Sequence, residues 1–197
     1  PILEDYIRNN YPKYKLTSST CKLITDPAKL EEELAKDYSI VVVDYDFNNN
    51  FEVLEKLPRK QDCELLVNAC CEPNCPRRSA HYQSIGVQQI AYNEHIKKYP
   101  NAPFNVEKYD PEHFRDCPYS QRGIFEICKL RTHISPDDIW EKYVPMGFEQ
   151  FKIEGRTASP INVLETYMYY MAKPECRDEA RFTLLKTMEN SGAMVFK

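Results

Sequence analysis

The run Ser39-Ile40-Val41-Val42-Val43-Asp44-Tyr45 restricts the fold more than any other stretch of the chain. It is β-branched and apolar without alternation, as expected of a strand covered on both faces in a parallel sheet. A strand of that kind needs helices on either side, so its neighbours along the chain should alternate between strand and helix. They do. Residues 14–19 read as a short strand, 63–69 (CELLVNA) as a third, and 148–153 (FEQFKI) as a fourth. Helices are expected over 3–11, from Asp26-Pro27 onward, over 51–57 before Pro58, and over about 76–98. Three more are expected: from Ser135-Pro136 to about 144, over 161–172 after Ser159-Pro160, and over 177–189. Asp or Ser followed by Pro is a start signal, because the first caps the helix and the second fits its first turn.

The pattern predicts an α/β fold of the (β/α) TIM-like barrel type, with 1–197 as one partial barrel domain and an irregular loop insertion around 100–125. A full eight-unit barrel takes about 250 residues. With 197 residues and four strands, the expectation is the C-terminal half of a barrel. Its open edges would be completed by a missing N-terminal half or by a second copy in a homodimer. The chain begins with Pro1, which fits either removal of Met or a piece of a longer protein.

Composition narrows the partners. The formal net charge is −4, whereas a general DNA binder needs a basic excess to neutralise phosphates. The longest apolar stretch, Ile40 to Val43, is too short for a bilayer, so no membrane partner is expected. No secretory leader is visible at the start of the chain. Only five glycines occur, and no G-x-G-x-x-G phosphate loop is among them.

The eight cysteines cluster, with Cys70, Cys71 and Cys75 inside six positions. In the cytoplasmic setting expected here, clustered thiols point to metal rather than disulfides. The run Cys71-Glu72-Pro73-Asn74-Cys75-Pro76-Arg77-Arg78 follows the third strand. Its C-x₃-C spacing lets two thiolates converge, and a helix start with two arginines favours their negative charge. Cys117 and Cys128 are the nearest downstream thiols to complete a four-cysteine set. Such a set suits a 4Fe–4S cluster or, alternatively, zinc. A plainer reading makes Cys117 and Cys128 ordinary loop and core thiols. Adjacent residues on a strand face opposite ways, so only one of Cys70 and Cys71 should be a ligand. Cys21, Cys63 and Cys176 read as structural.

Other polar residues fall at strand ends on the same C-terminal edge, where parallel β/α folds place ligands. These are Asp44, Asp46 and Asn48 after the second strand, Asn68 after the third, and Glu154 and Arg156 after the fourth. Lys152 and Glu154 share one strand face, which predicts an inward-facing pair that needs each other or a ligand. Arg156 beyond them suits a carboxylate or phosphate. The plain alternative is an internal ion-pair network. His81, on the helix after Cys75, is a candidate proton carrier, and His133 is a weaker one.

The stretch Leu66-Val67-Asn68-Ala69-Cys70-Cys71-Glu72-Pro73-Asn74-Cys75-Pro76-Arg77-Arg78-Ser79-Ala80-His81-Tyr82 resembles a segment of the collagenase-like peptidase family, family U-thirty-two. A second match covers Ile134 to Ile139, Tyr143, Gly147-Phe148 and Phe151 to Arg156. Both occur in the family's order, with Ala69 and Cys70 standing where the family has Glu-Gly. The resemblance implies a TIM-like barrel with an iron–sulfur cluster, in which Cys71 and Cys75 take the paired ligand positions. It also implies Asn68, Arg78, His81, Lys152 and Arg156 as pocket residues. Despite the family's name, relatives carry out hydroxylation-type chemistry on RNA bases or small molecules. The expected function is therefore an iron–sulfur enzyme, with Cys71, Cys75, Cys117 and Cys128 as ligands. His81, Lys152, Glu154 and Arg156 would be its catalytic groups, and Asn68, Arg78 and Arg156 its substrate contacts. Two alternatives stand beside it. One is a peptidase, although the sequence offers no evident Ser-His-Asp or Cys-His set and no H-E-x-x-H. The other is a zinc-stapled interaction domain.

Overall fold

The structure is a computed structural model that describes residues 2–155 and 159–192. Along the chain run α1 (Ile2–Asn10), β1 (Thr17–Ser18), α2 (Pro27–Leu34), β2 (Ile40–Val43), α3 (Phe51–Leu54) and β3 (Cys63–Leu66). Then follow α4 (Arg78–Lys98), α5 (Ile124–Ile127), α6 (Pro136–Asp138), a π turn (Ile139–Tyr143) and α7 (Val144–Met146). β4 (Gln150–Lys152), α8 (Pro160–Met171) and α9 (Arg177–Asn190) complete it. The strands form one parallel sheet in the order β1-β2-β3-β4. Among the described residues, no helix is long and apolar enough to cross a membrane.

The unbroken apolar run of β2 does what its composition requires. Val41 and Val43 join Cys63, Leu65 and Val67 on one face, packed against Leu30 and Leu34 of α2, Leu54 of α3, Tyr143 and Phe148. Val42 and Leu66 point the other way, yet they too are buried. Leu66 packs there with Tyr45, Ala69 and Cys71. The same face is polar further along, where Lys152 meets Glu64 at 2.9 Å.

The strands are shorter than the sequence predicts. β3 ends at Leu66 because side chains take over the pairing. The Asn68 amide donates to the Glu154 carbonyl at 2.9 Å and accepts from the Glu154 N–H at 2.7 Å. One side chain thereby copies a strand pairing and carries the β3–β4 alignment to the sheet's C-terminal edge. The helix expected from Ser135 is broken by the π turn, next to Pro145. Proline has no N–H to give, and widening the turn accommodates its ring. The region around 100–125 is largely irregular and holds three short 3₁₀ turns, ahead of α5.

Candidate thiolate site

The site is built on the turn between β3 and α4. Three side chains clamp its backbone. Glu154, at the end of β4, accepts from the Cys70 N–H at 2.7 Å. Arg122 donates to the Cys70 carbonyl at 3.1 Å and pairs with Glu72 at 2.7 Å. Asp46, after β2, accepts from the Asn74 N–H at 2.9 Å. Asn74 itself sits at φ 55°, a conformation that Asn tolerates better than most residues. It turns the chain into α4, which starts at Arg78 rather than at Pro76.

This turn presents Cys71 and Cys75 to a half-enclosed cavity of about 290 Å³. Cys117 arrives on its wall from the irregular segment, with Arg77, His81, Phe114 and Tyr119 around it. Burial raises the Cys71 pKa and neighbouring Cys75 adds to the rise, while the Tyr45 hydroxyl and the Arg78 guanidinium favour its thiolate. Cys70 is turned away and packs with Glu154; burial, reinforced by that carboxylate, pushes its pKa up to about 12. The opposed orientation expected of Cys70 and Cys71 is therefore observed, with Cys71 on the cavity side.

Behind the thiols lies a buried charged layer. Asp44, at the end of β2, takes Arg78 with both oxygens, at 3.1 and 2.8 Å. Arg78 also lies 4.5 Å over the Tyr45 ring and within 3.4 Å of Asp46. Burial raises the Asp44 pKa, and Arg78 opposes the rise. The Tyr45 hydroxyl is buried without a well-formed hydrogen bond, beside the Cys71 sulfur.

The residues singled out in the sequence divide into groups. Cys71, Cys75, Cys117 and His81 share the cavity. The His81 ring stacks on Phe114 at 5.0 Å, and burial lowers its pKa, which favours the neutral imidazole. Arg78 and Asn68 are committed to Asp44 and to the Glu154 backbone. Lys152 and Glu154, expected as an inward-facing pair that needs each other or a ligand, are separated, and Lys152 is exposed. Glu64, one strand over, neutralises Lys152, and Glu154 reaches the thiol turn instead. Arg156 lies outside the described residues. Cys128 is not on the cavity wall; its sulfur sits 3.6 Å from His133 Nε2. Cys63 is fully buried, as expected of a structural thiol, whereas Cys21 and Cys176 are exposed.

Comparison with family models, with characterised proteins and with solved structures finds no match. The site is therefore read from its own chemistry. Among the described residues, no three His, Cys, Asp or Glu groups stand close enough to hold a metal ion as they are. Two observations still fit a thiolate-bound metal in kind. Three soft donors line one cavity, and an unsatisfied hydroxyl beside Cys71 would find an acceptor in a ligating sulfur. Three residues of this site escaped the sequence reading: Tyr45, Tyr119 and Arg122. Tyr45 carried one usable signal, its place next to Asp44 at a strand's C-terminal end. Arg122 and Tyr119 carried none, since their segment has no periodicity.

Proposed function

We propose that the protein is an iron–sulfur enzyme acting on a small molecule or an exposed RNA base by hydroxylation-type chemistry. Cys71, Cys75 and Cys117 would hold its cluster. The observation that carries this reading is the convergence of those three thiols on one cavity at the C-terminal edge of a parallel sheet, the edge where β/α proteins place their chemistry. Cys128 is left out of the ligand set because its sulfur is engaged by His133. In the same reading the four strands are half of a TIM-like barrel.

When bound, a cluster of this kind supplies electrons and an iron site for the reaction. The chain's own residues do the rest. Glu154, Arg122 and Asp46 fix the turn that carries two of the ligands. Arg78 and Tyr45 stabilise negative charge on Cys71. His81, facing the same cavity with burial favouring its neutral form, is placed to accept a proton on its imidazole. Arg77, 4.5 Å over the Phe114 ring, offers a cation at the cavity rim for an anionic group.

Anaerobic purification or reconstitution, followed by iron, sulfide and zinc analysis, tests the proposal. The expected product is brown, with iron and sulfide in equal amounts. Cys71→Ser and Cys75→Ser are expected to lose most of both, and Cys63→Ala to keep them. A colourless protein holding zinc would replace the enzyme with a zinc-stapled domain. A protein that takes up neither metal would remove the site.

A further inference from the structure

A second reactive group lies off the cavity wall. Cys128 caps the end of α5. The chain then folds back through bonds from Leu130 N–H to the Ile127 carbonyl and from His133 N–H to the Leu130 carbonyl, at 2.9 and 3.1 Å. That turn brings His133 Nε2 to 3.6 Å from Cys128 Sγ. The backbone around His133 and its ring are both held. The Asn49 amide donates to the His133 carbonyl at 2.8 Å. The next residue, Ile134, donates to the Val67 carbonyl at 3.0 Å. Tyr169 and Tyr170 flank the ring, with centroids 5.7 and 6.4 Å away.

The sulfur has further help. Tyr169 is the hydroxyl neighbour of Cys128, and the Arg177 guanidinium lies 4.9 Å over the Tyr169 ring. Arg177 Nε is buried and lacks a hydrogen-bond partner, so a cation with spare donor capacity sits behind the pair. Cys128 and His133 are both half-buried, neither sealed in the core nor freely solvated. A thiol in contact with a base, beside a hydroxyl and a cation, is the arrangement that activates a sulfur nucleophile.

We propose that Cys128 and His133 form a nucleophilic thiol pair, a modification site separate from the metal cavity that reacts with low-molecular-weight disulfides. In the step, His133 Nε2 takes the thiol proton and Cys128 Sγ bonds to one sulfur of the disulfide. The disulfide's own S–S bond breaks, and the departing thiolate takes the proton from His133. One thiol and one disulfide thus give a mixed disulfide on Cys128 and one small thiol.

Substoichiometric 4,4′-dithiodipyridine on the full chain at pH 7, with acid quench and peptide mass mapping, tests this. Cys128 is expected to be modified ahead of the more exposed Cys21 and Cys176. His133→Asn and His133→Gln should slow it by about tenfold, leaving Cys21 and Cys176 unchanged as reference thiols, with buried Cys63 staying unmodified as the control for folding. That size reflects losing the base that takes the thiol proton. If Cys128 reacts more slowly than Cys21 and Cys176, or at the same rate in both His133 variants, the pair is inert and the proposal falls. Cys128→Ser should keep the wild-type metal content. Loss of metal in that variant would return Cys128 to the ligand set and overturn the separation of the two sites.

Discussion

At the residue scale, one buried carboxylate shows how the fold satisfies a charge it takes out of water. Glu33 on α2 is 3% exposed and receives Ser18 from β1 at 2.6 Å, with Lys22 and Lys36 both on its carboxylate. Burial alone would raise its pKa, but the three hydrogen bonds hold it at about 2. A carboxylate depressed in the folded state stabilises the fold fully above its ordinary pKa. That contribution shrinks as pH falls toward the folded value and is gone below it. Glu33 should therefore supply about 3 kcal/mol near neutral pH, lost between about pH 5 and pH 2. Urea unfolding across that window should show a shallower pH slope in Glu33→Gln, which should also be less stable at pH 7. An unchanged slope would mean that Glu33 is matched equally well in the unfolded chain. Glu33 closes a run of three glutamates, Glu31-Glu32-Glu33, whose first two members are exposed. Which of the three turns inward depends on the packing of α2 against the sheet, and no local pattern marks it.

At the element scale, starts were more legible than ends. Asp26, Ser135 and Ser159 each accept from a backbone N–H three residues on, and each precedes a proline. Both parts of that signal are local, so sequence alone finds them. Strand ends were not legible, because Asn68 makes backbone-like bonds with its side chain to a residue 86 positions away. The stop at Gly147 is local again. Its φ of +104° ends α7 in a conformation that a Cβ disfavours, although the nearest side chain, Lys60, would leave room at 3.8 Å. Gly147→Ala should therefore destabilise by roughly 1–2 kcal/mol through backbone strain alone. Chemical denaturation measures this directly, and a neutral result would show that the turn can relax.

At the scale of the whole molecule, β1 and β4 are edge strands of an open parallel sheet. Parallel sheets are normally closed or covered on both sides, and the Glu64–Lys152 pair leaves one face partly solvated. In the half-barrel reading these edges need partners. Light scattering coupled to size exclusion should find at least twice the 23.2 kDa chain mass, and a well-behaved monomer would contradict self-completion. The sequence by itself determined the strand–helix alternation, the parallel sheet and the C-terminal edge on which reactive residues gather. Periodicity, capping and strand composition are short-range properties. Only the tertiary structure decided which thiols meet. Cys117 joins Cys71 and Cys75 while Cys128 turns to His133, because an aperiodic segment is placed by distant contacts such as Arg122 on Cys70 and Glu72. Those contacts leave no trace in the spacing of the cysteines.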